Sequence, residues 1–365
     1  GPIKGFATTL LIGIMTSLFT AIFITRMLVE NHISKSKLLN FSTSLTKNWL
    51  SNIGISFLIK RRISYVVSGT FIIIGLSSLF INGLNQGVDF VGGRSYVVRF
   101  EQPVSQEKIQ SNLIKVLGNA EVKTFGSDNQ LKITTNYKVD TDSSDIDDEI
   151  NNILYADLIE FMPENIAYED FVVNGDENKQ AGIMSSIKVG PTIADDIKKN
   201  SFYAVFGSLI IVFLYILLRF KNWQFSLGAV SAVFHDVLVV LGIFSLTYSF
   251  MPFNMEINQA FIAAVLTVIG YSLNDTVVVF DRIREYRNIN TSWELPRVVD
   301  SALNSTLSRT LNTSFTTLVV LISIFVFGGE SIRGFMFALI VGVLIGTYSS
   351  VFVATPVMYD TLKNK

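Results

Sequence analysis

Seven long apolar runs constrain the fold of this 365-residue chain more than any other feature. A helix that crosses a bilayer needs about 20 predominantly apolar residues. The runs that meet this length fall at 6–29, 63–84, 201–219, 224–249, 257–280, 303–327 and 335–358. Hydrophobic residues make up 49% of the chain and charged residues 16%, which is typical of a polytopic membrane protein with one polar domain.

The polar part lies between the second and third runs, at 85–200. Strand patterns occur at 95–100, 121–126, 130–136, 167–173 and 183–189, and helix patterns at 105–117 and 144–161. The order β-α-β-β-α-β is the signature of the ferredoxin-like, split βαβ arrangement. The sequence therefore predicts an α-helical polytopic membrane protein of about seven transmembrane helices with one α+β ferredoxin-like domain.

The distribution of Lys and Arg predicts the orientation in the membrane. Basic residues collect in the connections 30–62 and 281–300, whereas the 250–256 loop has none. Lys and Arg are enriched in cytoplasmic loops. With the basic loops in the cytoplasm, the seven runs place 85–200 on the outside, in the periplasm.

Several classes of function are disfavoured by composition and motifs. The chain has no cysteine and two histidines, so we expect no metal site. No phosphate-binding loop of the form G-x-x-x-x-G-K-[ST] occurs, so direct use of ATP is not expected. The net charge of −1 gives no sign of a nucleic-acid partner. We expect neither an enzyme nor a bound cofactor.

Asp275 is the first candidate for function, because it lies deep inside the apolar run 257–280. A charge at the bilayer centre costs roughly 2.5–3.5 kcal/mol, so such residues usually face a protein interior or an aqueous path. In the next run Arg309 shares a helix face with hydroxyl side chains, namely Ser305, Thr306, Thr313, Thr316 and Thr317, and Asn312 lies nearby in the sequence. A carboxylate, hydroxyls and a guanidinium predict a pathway for H⁺, with Na⁺ as the alternative ion. A static Asp275–Arg309 pair that holds two helices together is the other interpretation.

Other polar residues inside the apolar runs form a second group of candidates. They are His235, Asp236, Ser272, Asn274 and Thr313. Adjacent residues on a helix point about 100° apart, so His235 and Asp236 are not expected to face one site. Hydrogen bonds between helices explain them as well as a proton relay does.

Five motifs resemble one known family. The segment 87–93 reads GVDFVGG, 189–191 reads VGP, 235–236 reads HD, 270–276 reads GYSLNDT and 305–310 reads STLSRT. Together they are similar to the SecF family of the resistance–nodulation–division superfamily. In addition, the first 30 residues resemble the last transmembrane helix of SecD. The chain thus looks like the SecF half of a fused SecDF, and its start without a methionine favours part of a longer polypeptide.

The resemblance implies five regions. They are a SecD-like helix at 1–30, a cytoplasmic linker at 31–62, a first SecF-like helix at 63–84, the periplasmic domain at 85–200 and a five-helix bundle at 201–365.

The resemblance also implies a function. It implies a subunit of the bacterial inner membrane, surrounded by lipids, that works with the rest of SecD, SecYEG and YidC. It would use the proton-motive force to promote late export of secretory precursors. Asp275 and Arg309 map onto the proton pathway, whereas Gly87, Asp89, Gly92 and Gly93 shape the junction between membrane and periplasmic domain. The alternative is a structural docking subunit of the translocon that conducts no ions.

Overall fold

The computed structural model describes residues 2–35, 54–141, 144–163, 166–173 and 179–363. Most of the predicted cytoplasmic linker, at 36–53, lies outside these ranges.

The first described part of the chain is helical. Helix α1 (Pro2–Phe19), a π-helical turn (Thr20–Ile24) and helix α2 (Thr25–Ser34) follow one another without a break and are apolar up to the polar turns of α2. Helix α3 (Arg61–Ile81) follows the linker. The buried positions of α3 are all small: Ser64, Ser68, Gly75 and Ser78. Small residues let neighbouring helices approach closely in a membrane.

A four-stranded α/β domain follows at 93–189. Its elements, preceded by the short helix α4 (Val88–Val91), are β1 (Gly93–Arg99), α5 (Gln106–Leu117), β2 (Glu121–Phe125), β3 (Ser127–Thr135), α6 (Ser144–Leu158), a 3₁₀ turn (Ile159–Phe161), α7 (Tyr168–Val172) and β4 (Gly182–Val189). The antiparallel strands run in the order β2-β3-β1-β4, with β1 paired to both β3 and β4. One core joins the sheet to α5 and α6 and includes Val98, Leu113, Ile133, Ile150 and Leu154. The predicted ferredoxin-like order of elements is present.

The prediction of a strand at 167–173 is wrong, because this segment forms the helix α7. Glu169 and Asp170 lie in its first turn, where negative charge is favourable. The helix buries Phe171 completely, with its ring centroid 5.4 Å from that of Tyr155. Periodicity does not separate helix from strand in so short a run.

Five further membrane helices complete the chain. They are α8 (Pro191–Phe220), α9 (Trp223–Thr247), α10 (Gln259–Ile289), α11 (Leu295–Phe327), and α12 (Glu330–Ser349) continued by a π-helical turn (Ser350–Ala354) and α13 (Thr355–Lys363). The α1–α2 segment and α3 are the first two spans. With these five, seven helices within the described ranges are long and apolar enough to span a membrane, as predicted. Several run beyond their apolar runs because charged turns at their ends are helical too.

Glycines in the bundle let neighbouring helices pack closely against one another. A Cβ atom added to Gly75 of α3 would lie 3.1 Å from the Cα of Gly242 on α9. Gly342 of α12 packs directly on Val268 of α10. Among the membrane helices, α9, α10 and the α12–α13 span are the most buried, whereas α11 is largely exposed.

Candidate functional site

Asp275 lies on the buried face of α10, with 4% of its surface exposed. Its Oδ2 atom has no hydrogen-bond partner within the described ranges. An unsatisfied carboxylate oxygen in an interior is costly, and its occurrence in a native protein asks for an explanation. The position is therefore a candidate for a group that changes its protonation or its partner.

Hydroxyl groups from two other helices surround this part of α10. Tyr271 Oη donates to Ser314 Oγ of α11 at 3.3 Å, and Ser314 Oγ is 2.6 Å from Thr347 Oγ1 of α12. Ser314 and Arg309 both interact electrostatically with the Asp275 carboxyl. The site thus joins α10, α11 and α12. Ser314 and Thr347 were not predicted, because their helices meet only in the tertiary structure.

Arg309 and Thr313 occupy different environments from Asp275. Arg309 is exposed and, among the residues that the structure describes, forms no direct ion pair with Asp275. The Thr313 hydroxyl donates to backbone carbonyls of its own helix, at Arg309 and Thr310. Asn274 of α10 is also exposed. Arg309 and Asn274 are therefore exposed, whereas Thr313 is half-buried.

His235 and Asp236 face one site, so the prediction that they point apart is wrong. His235 Nδ1 is 3.0 Å from Asp236 Oδ1, and both residues are buried. Ser272 of α10 and Ser349 of α12 donate to Asp236 Oδ2 at 2.6 and 2.8 Å. The 100° separation of neighbouring side chains did not exclude this contact, because the imidazole side chain is long enough for its Nδ1 atom to reach the adjacent carboxylate.

The GVDFVGG segment binds the N-terminal end of α10. Asp89 Oδ2 accepts a hydrogen bond of 3.0 Å from the backbone N–H of Gln259, the first residue of that helix. Gly87 N–H donates to the Ile257 carbonyl at 3.0 Å. An acidic side chain at a helix N-terminus satisfies a free donor and complements the helix dipole. The Asp89 contact therefore ties the junction to the helix that carries Asp275.

Gly92 and Gly93 turn the chain from this junction into β1. Their φ angles are +74° and +124°, a region that residues with a Cβ atom rarely adopt. A Cβ on Gly93 would also collide with the Thr135 carbonyl of β3. At position 93 glycine is therefore required both by the positive φ angle and by the lack of room for a Cβ atom.

An ion pair that the sequence did not predict joins the α/β domain to the same end of α10. Lys132 of β3 contacts Glu256, three residues before Gln259, and their side chains are only 15% and 5% exposed. The two residues are 124 positions apart in the sequence, and no local pattern connects them. The pairing depends on how the sheet sits over the membrane helices.

Within the described ranges, no group of three or more His, Cys, Asp or Glu side chains could hold a metal ion.

Comparisons with known proteins agree on one family. Residues 171–364 match the family model "Protein export membrane protein SecD/SecF, C-terminal", and residues 77–104 match "SecD/SecF GG Motif". The chain is 44% identical over 310 residues to protein translocase subunit SecF of Rhodothermus marinus, which covers 85% of this chain and 94% of that one. It is 33% identical to protein translocase subunit SecDF of Brucella abortus biovar 1, over 98% of this chain and 44% of that one.

The fold is similar to a solved SecDF structure. The crystal structure of SecDF, a translocon-associated membrane protein from Thermus thermophilus, aligns with a TM-score of 0.81 at 28% identity. The alignment covers all of this chain and 46% of that protein, so the chain spans less than half the length of the SecDF proteins that it matches. On the extent of these matches, the chain belongs to the SecF family of protein-export membrane proteins.

Proposed function

We propose that this chain is a proton-motive-force-coupled accessory subunit of the Sec translocon. Together with the rest of SecD, and beside SecYEG and YidC, it would promote late export of secretory precursors across the bacterial inner membrane. In this orientation 85–200 lies in the periplasm. The proposal draws on membership of the SecF family and on the buried Asp275 site.

The observation that carries the proposal is the state of the Asp275 carboxyl group. It is buried at the level of the spans and has an oxygen without a hydrogen-bond partner in the described part of the chain. A charged carboxylate there is costly, and a protonated one has a donor that needs an acceptor. Neither form is fully satisfied, so a change in helix packing can shift the balance between them.

Exposed polar groups support a pathway that this chain only half encloses. Ser305, Arg309, Asn312 and Thr316 share one face of α11 and are exposed, and Asn274 of α10 is exposed as well. Polar side chains inside membrane spans almost always face another helix or a water-filled cavity. We infer that the remaining SecD helices cover this side and complete the route for H⁺. Na⁺ remains the alternative ion.

Helix α10 offers a mechanical link between the site and the periplasmic domain. It is unbroken over 31 residues, about 46 Å, and carries Asp275 roughly 24 Å from its N-terminal residue. Its N-terminal end is bound by Asp89 and adjoins the Lys132–Glu256 pair. A membrane potential supplies about 2.3 kcal/mol per charge for each 100 mV. Such energy does work only if protonation differs between two conformations.

A structural docking subunit without ion flux is the second candidate function. The bonds that connect Tyr271, Ser314 and Thr347 favour it, because they hold three helices together. Gradient-driven export of a precursor, measured in vesicles with the complete assembly, separates the two. We expect Asp275→Asn to assemble normally and to lose gradient stimulation. Glu285→Gln, an exposed acid on the same helix, serves as the control. Loss of assembly in Asp275→Asn would instead support docking.

A further inference from the structure

A second buried polar centre lies between α9, α10 and α12, and the proposed function does not use it. It consists of His235, Asp236, Ser272 and Ser349, and Asp236 and His235 are 1% and 3% exposed. Both Ser hydroxyls donate to the same carboxylate oxygen, Oδ2, and His235 Nδ1 contacts Oδ1. The carboxylate therefore has three partners from three helices.

The imidazole has one nitrogen without a partner. His235 Nε2 is buried and makes no hydrogen bond within the described ranges. Its ring faces Tyr348 of α12, at 6.1 Å between centroids, and the Tyr348 hydroxyl contacts Ser68 of α3. A buried nitrogen that is left over in this way can carry a proton or give it up.

No fixed cation balances the Asp236 charge. In the described part of the chain it forms no ion pair with Lys or Arg. The Lys and Arg residues of the helices packed around the pair lie towards the ends of those helices. The other ionisable groups along them include Tyr271 and Asp275 on α10, Tyr348 on α12, Tyr359 and Asp360 on α13, and Tyr203 and Tyr215 on α8. Asp360 is paired with Arg61, and the facing part of α3 offers only the hydroxyls of Ser64, Ser68 and Ser78. A buried carboxyl group is normally paired with a cation or neutralised by a proton, so a proton held by the pair can supply the balancing charge.

We propose that the His235–Asp236 pair is a second proton-binding site, with His235 Nε2 as the atom that gains and loses the proton. With Nε2 protonated, the pair is neutral overall, whether the bridging proton sits on Nδ1 or on Asp236 Oδ1. Loss of the Nε2 proton leaves neutral imidazole beside a carboxylate and a net charge of −1. One proton enters or leaves, and no other bond changes.

The oxygen geometry favours a proton over a metal ion as the mobile cation. The hydroxyls of Ser272 and Ser349 lie at hydrogen-bond distances from Asp236 Oδ2 and donate to it. Oxygens that share a metal ion direct lone pairs at the ion, whereas these hydroxyls direct protons at the carboxylate. The cluster is thus arranged to hold an anion whose charge is set by His235.

The site lies where a change of charge reaches the helices of the proposed pathway. Ser272 precedes Asp275 by three residues on α10, and Ser349 immediately precedes the π-helical turn Ser350–Ala354. A more negative Asp236 strengthens both hydroxyl bonds, because charge-assisted hydrogen bonds are the stronger ones. The protonation of the pair therefore sets how tightly α9 holds α10 and α12. A role of this effect in transport rests on the proposed function, whereas proton binding itself does not.

Nitrogen NMR of the histidines tests proton binding directly. This chain has only two histidines, His32 and His235, so ¹⁵N-histidine labelling of this chain alone, within the complete assembly, gives few signals. His32→Gln assigns them. We expect the ¹⁵N signals of His235 to change between two protonation states as the pH of the sample is varied. We expect Asp236→Asn to move that transition to lower pH, and Ser349→Ala, which removes no ionisable group, to keep a transition.

Two results would overturn the proposal. One is a single neutral tautomer of His235 at every pH, which would make the pair a static hydrogen bond. The other is a transition that Asp236→Asn leaves unchanged, which would make His235 an isolated base. The Asp275→Asn variant separates this proposal from the proposed function. If Asp275→Asn loses ion flux while His235 still titrates, the proposed function and the second proton-binding site are both supported. If ion flux depends on Asp275 but the ¹⁵N signals of His235 do not change with pH, only the second site is refuted.

Discussion

The Lys132–Glu256 ion pair gives the sharpest prediction about how the two parts of the molecule are joined. Replacing Glu256 with Gln leaves the Lys132 ammonium largely buried and without its partner. Breaking a buried ion pair costs about 3–5 kcal/mol, and the partial exposure of Lys132 places the cost at about 3 kcal/mol. We therefore expect the junction between sheet and helices to open roughly a hundredfold more often.

Hydrogen–deuterium exchange in 82–92 and in the first turn of α10 measures this opening. Adding Lys132→Met to Glu256→Gln removes the unpaired charge, so the double variant is expected to exchange more slowly than the Glu256→Gln protein. The control is Glu160→Gln, which breaks the exposed Lys108–Glu160 pair, whose side chains are 58% and 54% exposed, at a cost below about 1 kcal/mol. Equal exchange in Glu256→Gln and Glu160→Gln proteins would refute the claim that the buried pair joins the domains.

Three further predictions concern the α/β domain and its junction. Gly93→Ala combines a strained φ with a collision against the carbonyl of β3, so we expect loss of folded protein by size-exclusion chromatography. Burial raises the pKa of Asp147, but hydrogen bonds from Arg94 and Lys188 outweigh it and hold the pKa below its usual range. The charged Asp147 therefore stabilises the domain above its unfolded-state pKa, and this stabilisation is lost as pH falls through the folded pKa. Asp147→Asn is expected to lower the melting temperature at pH 7, and the difference in melting temperature between variant and wild type is expected to become smaller in acid. Asp89→Ala is expected to cost about 1 kcal/mol, seen as faster exchange at the start of α10, and unchanged exchange would contradict the capping role.

The membrane helices were predictable because their signal is local. Span length and hydropathy act over about 20 consecutive residues, and the seven spans need no knowledge of neighbours. The order of strands and helices between 93 and 161 followed from the alternation of apolar and polar residues. Helix α5 begins where Ser105 caps it, with the Ser105 side chain accepting a hydrogen bond from Lys108 N–H. The short helix α7 was missed because five residues carry too little periodic signal.

The partners within the sites were not predictable because they come from distant parts of the chain. Asp275 was found because a charge in an apolar run is conspicuous, but Ser314 and Thr347 look like ordinary helix residues. Ser349, which donates to Asp236 across 113 positions of sequence, gave no signal at all. Small hydroxyl residues are common in membrane helices, so only the packing of α9 to α12 identifies those that face a buried carboxylate.

The most direct test of the account is proton uptake and precursor export measured in the same proteoliposomes. The complete SecD–SecF assembly would be reconstituted with the translocon, and a proton gradient imposed on wild type, Asp275→Asn and Arg309→Met. The account predicts that both variants assemble, and that proton uptake and gradient-stimulated export fall together. Two results would contradict the account. One is that Asp275→Asn abolishes proton uptake but export keeps its stimulation by the gradient. The other is that neither substitution changes proton uptake.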